Sequence, residues 1–216
     1  ISGGRDAVNR ATELTLALTI PAAVALMVIP VPIVAVLFQR GAFAMEDVWP
    51  TALAVAIYGA GLPAFVLQKV ISPVYYAHED TRSPFRYAVH AMIVNALIAL
   101  GLAPVIGFSA AALGTTVAGW TMLWQLWRGS SAFGAIATID PRLRRAAPRI
   151  LAAALVMAAA LVGLERLLAG MLATHGVRYL ALLLLCTAGL AVYAAAAFAT
   201  GALRPTDLRA ALRRGA

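Results

Sequence analysis

Three polar side chains inside long apolar runs are the candidates for chemistry in this sequence. Lys69, His90 and Asn95 lie in runs that read AFVLQKVISP and RYAVHAMIVNALIAL. An ionisable group within a membrane span costs a few kcal/mol unless it faces a cavity or reaches the surface. Lys69 therefore either extends to the membrane surface or faces an internal path for an anionic substrate. His90 and Asn95 are further candidates for that path, with hydrogen-bonded helix packing as the alternative.

The other titratable groups do not form a pattern for catalysis or metal binding. The acidic residues are few and lie at the ends of the apolar runs, without a pair one helical turn apart that could hold a metal and a pyrophosphate. The three histidines, His78, His90 and His175, lack the spacing of metal ligands. We predict no catalytic residue and no metal site, and a protein that is not an enzyme.

Composition places the chain in a membrane. Of its 216 residues, 62% are hydrophobic and 12% charged, and the mean hydropathy is +0.88. An average soluble domain is roughly 45–50% apolar and 25% charged. Because about 20 apolar residues cross the hydrocarbon core as a helix, we predict an all-α membrane protein with six transmembrane helices, at residues 14–38, 48–77, 85–106, 108–128, 149–169 and 178–201.

Basic residues predict how these helices face. Lys and Arg near span ends are retained in the cytoplasm. Thirteen of the 17 Lys and Arg residues fall on one side of the predicted membrane, namely Arg5, Arg10, Arg82, Arg86, Arg128, Arg142, Arg144, Arg145, Arg149, Arg204, Arg209, Arg213 and Arg214. The other side holds only Arg40, Arg166 and Arg178, so both termini are predicted to be cytoplasmic. The net charge of +8 is thus a topology signal, and we expect no nucleic-acid binding.

The spans divide the chain into five segments. We expect a cytoplasmic connection with amphipathic character at 1–13, four transmembrane helices at 14–128, a cytoplasmic loop with a basic interfacial helix at 129–148, a terminal helix pair at 149–201, and a basic cytoplasmic tail at 202–216. The basic segments would contact membrane lipids. The chain opens ISGGRDAVNR without an initiator Met, so we expect it to be part of a longer protein.

The stretch HEDTRSP at 78–84 predicts a short cytoplasmic turn between the second and third spans. The turn comprises Asp80, Thr81, Arg82, Ser83 and Pro84, whose charged members keep it in water. Ser83 followed by Pro84 predicts an N-cap and a first helical residue.

Helix-breaking residues predict where the first two spans can bend. The candidates are Pro21, Pro30 and Pro32 in the first span and Gly59, Gly61 and Pro63 in the second. Kinks arise at such positions, and alternating access requires bends of this kind. The last two spans are rich in small residues, which is typical of close helix packing, of ordinary lipid contact, or of a shallow lipid-facing groove.

Two stretches of sequence carry a family resemblance. LFQRGAF at 37–43 and YGAGLPAFVLQKVISPVYYAHEDTRSP at 58–84 strongly resemble the MurJ (MviN) lipid II flippases of bacteria, in the MOP exporter superfamily. The resemblance covers about residues 36–128 in motif and the rest in the number and position of spans. It departs from the family at Ser83, where Thr is usual. It implies the C-terminal part of a fourteen-helix, two-lobe protein of the bacterial plasma membrane, whose missing N-terminal lobe would be a partner.

The resemblance also implies a function. The protein would move lipid II, an undecaprenyl-linked peptidoglycan precursor, from the inner to the outer leaflet by alternating access, and a groove on the terminal helix pair would receive the undecaprenyl tail. Lys69 would bias the path toward the pyrophosphate. Some relatives hold sodium in this lobe, and Asn95 and Thr115 match that site, but Ala99 stands in the place of its acid. No cofactor is expected, and coupling would use the membrane potential or a monovalent cation.

Other functions are compatible with the same pattern. Within transporters, the alternatives are a flippase for another polyprenyl-linked glycan or a multidrug exporter of the same superfamily. From another class, the alternative is a non-transporting membrane scaffold. A prenyl-lipid enzyme would need acid clusters at the membrane surface, which the sequence does not have.

Overall fold

The computed structural model describes residues 2–137, 140–174 and 176–202. Within these ranges every regular element is helical, and there are no strands. Seven α-helices run α1 Ser2–Val28, α2 Pro30–Phe38, α3 Met45–Ala77, α4 Arg82–Ile106, α5 Ser109–Gly129, α6 Pro141–Ala173 and α7 Arg178–Ala199, with a 3₁₀ helix Ser130–Ala137 between α5 and α6. His175 and the basic tail from residue 203 onward lie outside the described residues.

Five of the described helices are long and apolar enough to cross a membrane: α1 from Asp6 onward, α3, α4, α6 and α7. The prediction of an all-α membrane protein is confirmed. The count of six spans is not met in full, because α5, with 21 residues, is not among these five; Ser, Thr and Gln are spread along its sequence, SAAALGTTVAGWTMLWQLWRG. Its polar groups form hydrogen bonds with the neighbouring helices.

The helices pack in the order α4, α5, α3, α1, α6, α7. Helix α5 lies between α3 and α4, which scarcely touch each other, and α1 lies between α3 and the terminal pair α6 and α7. Helix α4 therefore forms one edge and exposes many large apolar side chains, among them Leu97, Leu100 and Val105. In a bilayer such a surface costs little, since lipid tails are as apolar as leucine.

The first predicted span is interrupted at Ile29, which separates α1 from α2. Ile29 has φ −120° and ψ 42°, outside the helical region, although it is only 1% exposed. The cause is Pro30, whose ring clashes with the preceding turn and which has no N–H to donate. Pro30 and Pro32 lie in the first turn of α2, where a missing N–H is tolerated.

The other predicted bending positions lie within unbroken helices. Pro21 is inside α1, and Pro63 is inside α3 together with Gly59 and Gly61. Gly59 instead permits close contact, because a Cβ there would lie 2.9 Å from the Cβ of Leu26 on α1. Movement at any of these positions stays a prediction.

Two segment boundaries differ from the prediction. Helix α1 begins at Ser2, so residues 2–13 continue the first span as helix. The basic segment before the fifth span is likewise not a separate interfacial helix, because Pro141–Ala173 is one helix that contains Pro148. A single stripe of buried residues crosses Pro148 at helical spacing: Leu143, Ala146, Ile150, Ala153, Ala154, Met157 and Leu161. Packing of this continuous stripe outweighs the one hydrogen bond that proline cannot make.

The terminal pair is fastened to α1 and α2 at three levels. The Tyr193 hydroxyl of α7 donates a 2.7 Å hydrogen bond to the Ala17 carbonyl of α1. At the α6 N-terminus, Arg142 forms a 3.1 Å ion pair with Glu13. At the opposite end, the guanidinium of Arg178 donates to the carbonyl of Gln39 just after α2, at 3.2 Å, and its side chain is only 8% exposed.

The turn between α3 and α4 is closed by two backbone hydrogen bonds to carbonyls of α3. Glu79 has a positive φ of 59°, and the N–H groups of Glu79 and Asp80 return to the carbonyls of Tyr76 and Tyr75, each at 3.0 Å. This is the Schellman arrangement, in which glycine usually occupies the left-handed position.

The cap of α4 differs from the prediction. The helix begins at Arg82, and the carboxylate of Asp80 accepts a 2.9 Å hydrogen bond from the N–H of Ser83. Asp80, not Ser83, therefore satisfies the free amide. Pro84 remains in the first turn, where helical N–H groups have no internal partners.

Candidate functional site

The seam between α3 and α5 is held by side-chain hydrogen bonds to backbone carbonyls. Four donors cross it: Gln68 Nε2 to Gly119 O at 2.7 Å, Thr116 Oγ1 to Ile57 O at 2.9 Å, Trp120 Nε1 to Ala60 O at 3.0 Å, and the Tyr75 hydroxyl to Leu126 O at 2.6 Å. Each bond satisfies a polar group that would otherwise face hydrocarbon. Thr116 and Trp120 of α5 therefore serve helix packing, as do Gln68 and Tyr75 of α3.

Glycine brings the two helices close enough for these bonds. A Cβ at Gly119 would overlap the ring of Phe65 on α3. At Gly61, a Cβ would lie 2.8 Å from the same ring and 3.0 Å from the Thr116 hydroxyl. Small residues at helix interfaces in membranes permit this close approach.

The predicted path residues His90 and Asn95 lie on the other side of α5, at its seam with α4. The ring Nδ1–H of His90 donates to Oε1 of Gln125 at 3.1 Å. Asn95 packs against Gly114, where a Cβ would come within 2.6 Å of the Asn95 Oδ1. That oxygen is buried and has no hydrogen-bond partner among the described residues. A buried orphan acceptor is costly, so it marks a place where a donor or a cation would be stabilised.

Lys69 is separated from these two residues. It lies on the exposed side of α3, and α5 lies between α3 and the helix of His90 and Asn95. Within the described ranges no carboxylate is within ion-pair distance of the Lys69 amine. Its charge is therefore available to a ligand.

The candidate ion-site residues Asn95 and Thr115 lie on α4 and α5, at the seam between these helices. Thr115 donates its hydroxyl to the Ala111 carbonyl of its own helix, at 2.8 Å. Ala99 lies beside Gly114 and supplies no carboxylate. Among the residues that the structure describes, no three His, Cys, Asp or Glu side chains are grouped to hold a metal. Of the three candidate ion-site positions, Asn95 has a side-chain oxygen without a hydrogen-bond partner in the described structure.

A cavity that the sequence did not indicate lies at the end of α5. We name it the turn cavity; its volume is about 530 Å³, and it is lined by Tyr75, Asp80, Ser83, Tyr87, Trp124, Gln125, Arg128, Gly129, Ser131, Ala132 and Phe133. These residues come from the end of α3, the α3–α4 turn, the start of α4, the end of α5 and the 3₁₀ helix. Hydrogen bonds from the side chain and backbone of Ser83 lower the pKa of Asp80, so its carboxylate is charged at neutral pH.

Comparison with known proteins identifies the family. The family model described as "Lipid II flippase MurJ" matches residues 2–196. A probable lipid II flippase MurJ of Rhizobium meliloti is 41% identical over 216 residues, which is 96% of this chain and 39% of that protein. Its counterpart in Rhizobium tropici is 45% identical over 119 residues, covering 55% of this chain and 22% of that protein.

A more distant relative agrees. The lipid II flippase MurJ of Burkholderia cenocepacia is 36% identical over 95 residues, or 44% of this chain and 18% of that protein. The chain thus spans less than half the length of these relatives. The family name denotes transporters rather than enzymes, and its match with the apolar helices makes this a multi-pass inner-membrane protein. The resemblance seen in the sequence is confirmed: the chain belongs to the lipid II flippase MurJ family.

Proposed function

We propose that the chain is the C-terminal part of a flippase that moves lipid II from the inner to the outer leaflet by alternating access. The observation that carries this proposal is the family match across residues 2–196, together with a relative aligned over 96% of the chain. No covalent bond is made or broken in such transport. The protein supplies charges, a path and a change of shape.

Lys69 supplies the charge for the substrate in this proposal. An exposed amine on α3 without an acidic partner in the described structure can attract the pyrophosphate of lipid II. His90 and Asn95 act as a second polar station at the α4–α5 seam, where the exposed His90 ring can meet the headgroup. The N-terminal lobe completes the path on the uncovered side.

The terminal pair guides the tail. Leu167 of α6 is 81% exposed, and α7 exposes Leu183 and Leu190. These side chains offer apolar surface to an undecaprenyl chain, while Gly189 keeps the pair close by packing against Leu161.

For energy coupling, we propose the membrane potential or a monovalent cation, with no cofactor. We also propose a membrane orientation in which both termini of this segment are cytoplasmic.

The Lys69 role is tested in cells that depend on the full-length protein. Lys69→Met removes the charge and keeps a side chain of similar length, whereas Lys69→Arg retains the charge. Arg166→Met is the matched control, since it removes one exposed cation from α6 at the opposite end of the bundle. We expect Lys69→Met to lower lipid II exposure in the outer leaflet by about tenfold, the loss of ~1.4 kcal/mol of interaction. The measurement is the accessibility of lipid II to an external probe after depletion of the wild-type protein.

The outcomes separate the residue from the function. Normal lipid II exposure with Lys69→Met would remove Lys69 from the path without affecting the flippase proposal. If depletion of the whole protein leaves lipid II exposure unchanged, the flippase proposal itself is wrong. A scaffold would show growth loss with normal lipid II exposure.

A further inference from the structure

The turn cavity holds two opposite charges that do not neutralise each other. Asp80 and Arg128 both line it, yet no ion pair within 4.0 Å joins them in the described structure. The carboxylate of Asp80 is fixed by the 2.9 Å hydrogen bond from Ser83. The guanidinium of Arg128 lies over the Trp124 ring, 5.4 Å from its centroid. Each charge is therefore held by a neighbour other than the opposite charge, so both remain available to a ligand in the cavity.

The walls of the cavity are aromatic and preformed. Tyr75 is 1% exposed, and its ring meets those of Tyr87 and Phe133 edge to face, with centroids 6.2 and 5.0 Å away. Gly129 allows both phenols to approach, because a Cβ there would lie 2.5 Å from each of the two hydroxyl oxygens. A cavity of about 530 Å³ with such walls falls within the range of small-ligand sites, roughly 300–1,000 Å³.

The chemistry of the lining favours a zwitterion. Planar guanidinium groups bind phosphate with two parallel hydrogen bonds. Carboxylates and aromatic faces bind ammonium groups. A purely anionic ligand would be repelled by Asp80, and a purely cationic one by Arg128. The cavity lies where α3 and α5 end and α4 begins. Because α3 and α4 are long and apolar enough to cross a membrane, we expect these helix ends at the depth of lipid headgroups.

We propose that the turn cavity binds the headgroup of an aminophospholipid, with the phosphate on Arg128 and the primary ammonium on Asp80. The acyl chains then run along the exposed apolar surface of α4. This lipid is a resident of the protein and not its transported substrate, so the inference does not rest on the proposed function.

Lipid retention by the purified full-length protein tests the proposal. Native mass spectrometry counts the lipids that remain bound after equilibration with vesicles of phosphatidylethanolamine, phosphatidylglycerol or phosphatidylcholine. We expect phosphatidylethanolamine to be retained about tenfold better than phosphatidylglycerol, which lacks the ammonium. Phosphatidylcholine should fall between them, because its methylated ammonium cannot donate a hydrogen bond to the carboxylate.

Two variants and one control locate the binding. Asp80→Asn removes the charge but keeps an oxygen to accept the Ser83 amide, so the α4 cap survives; Arg128→Gln removes the other charge. Asp80→Asn should reduce the retention of phosphatidylethanolamine to the level of phosphatidylglycerol, and Arg128→Gln should lower the retention of all three lipids. Arg86→Gln is the control, since Arg86 is on α4 but does not line the cavity. Thermal midpoints without added lipid verify that all variants fold.

Three results would overturn the proposal. The first is equal retention of the three lipids by the wild-type protein. The second is unchanged preference in both cavity variants. The third is displacement of the lipid by soluble phosphoethanolamine at similar concentration, which would assign the cavity to a free zwitterion and not to a lipid.

Discussion

At the scale of single residues, glycines set how closely α5 approaches its neighbours. Gly61 and Gly119 admit the Phe65 ring, and Gly114 admits the Asn95 amide. The sequence does not distinguish these glycines from Gly163, which lies on α6 with nothing within 4 Å of its Cβ position. Only the packed helices show which glycine is required.

Gly119→Ala is expected to destabilise the protein. The new methyl group would overlap Phe65 and separate α5 from α3, which weakens the 2.7 Å bond from Gln68 to the Gly119 carbonyl. Overpacking of this kind costs about 1–3 kcal/mol. Unfolding in mixed detergent measures the loss, and Gly163→Ala is the control that should be neutral or stabilising. Equal stability of the two variants would contradict the close packing at Gly119.

At the scale of elements, local sequence signals located most helices and missed two features of their ends. Proline at residue 30 did end a helix, because its steric effect acts within one turn. Proline at residue 148 did not, since the buried stripe that includes Ile150 continues across it. Asp80 rather than Ser83 capped α4, because the Schellman turn of the preceding helix brings Asp80 to the free amide.

Glu79→Gly is expected to stabilise this turn. Glu79 adopts φ 59°, and a left-handed conformation costs a residue with a Cβ roughly 1–2 kcal/mol. Part of that gain is lost to the greater freedom of glycine in the unfolded chain, so we expect about 0.5–1 kcal/mol. Thermal unfolding measures it. Glu79→Ala keeps the strain while removing the charge, and the strain account is wrong if alanine stabilises as much as glycine.

At the scale of the whole molecule, the helices pack in a row whose two ends differ. The terminal pair contacts the chain on both sides of the Ile29 interruption, because Tyr193 is hydrogen-bonded to α1 and Arg178 to the residue after α2. At the other end of the row, α4 is covered on one side only, by α5. This arrangement leaves Lys69 of α3 exposed.

Membrane orientation is tested by labelling with an impermeant thiol reagent. In a Cys186→Ala background, Ala42→Cys lies in the loop after α2 and Ser83→Cys lies in the first turn of α4. In intact cells without an outer membrane, we expect Ala42→Cys to react and Ser83→Cys to react only after permeabilisation. If only Ser83→Cys is labelled in intact cells, the membrane orientation is opposite to the proposed one and the proposed direction of transport is wrong.

The sequence by itself determined the membrane class, the helix positions to within a turn in most cases, and the family. These follow from hydropathy, proline sterics and matched motifs, all of which act over a few residues along the chain. Tertiary structure decided that α5 separates Lys69 from His90 and Asn95, that Arg178 meets Gln39, and that Asp80 and Arg128 share a cavity. Such neighbours depend on which helix faces fit together, and that fit is set by side-chain shape and close glycine contacts, which no local pattern contains.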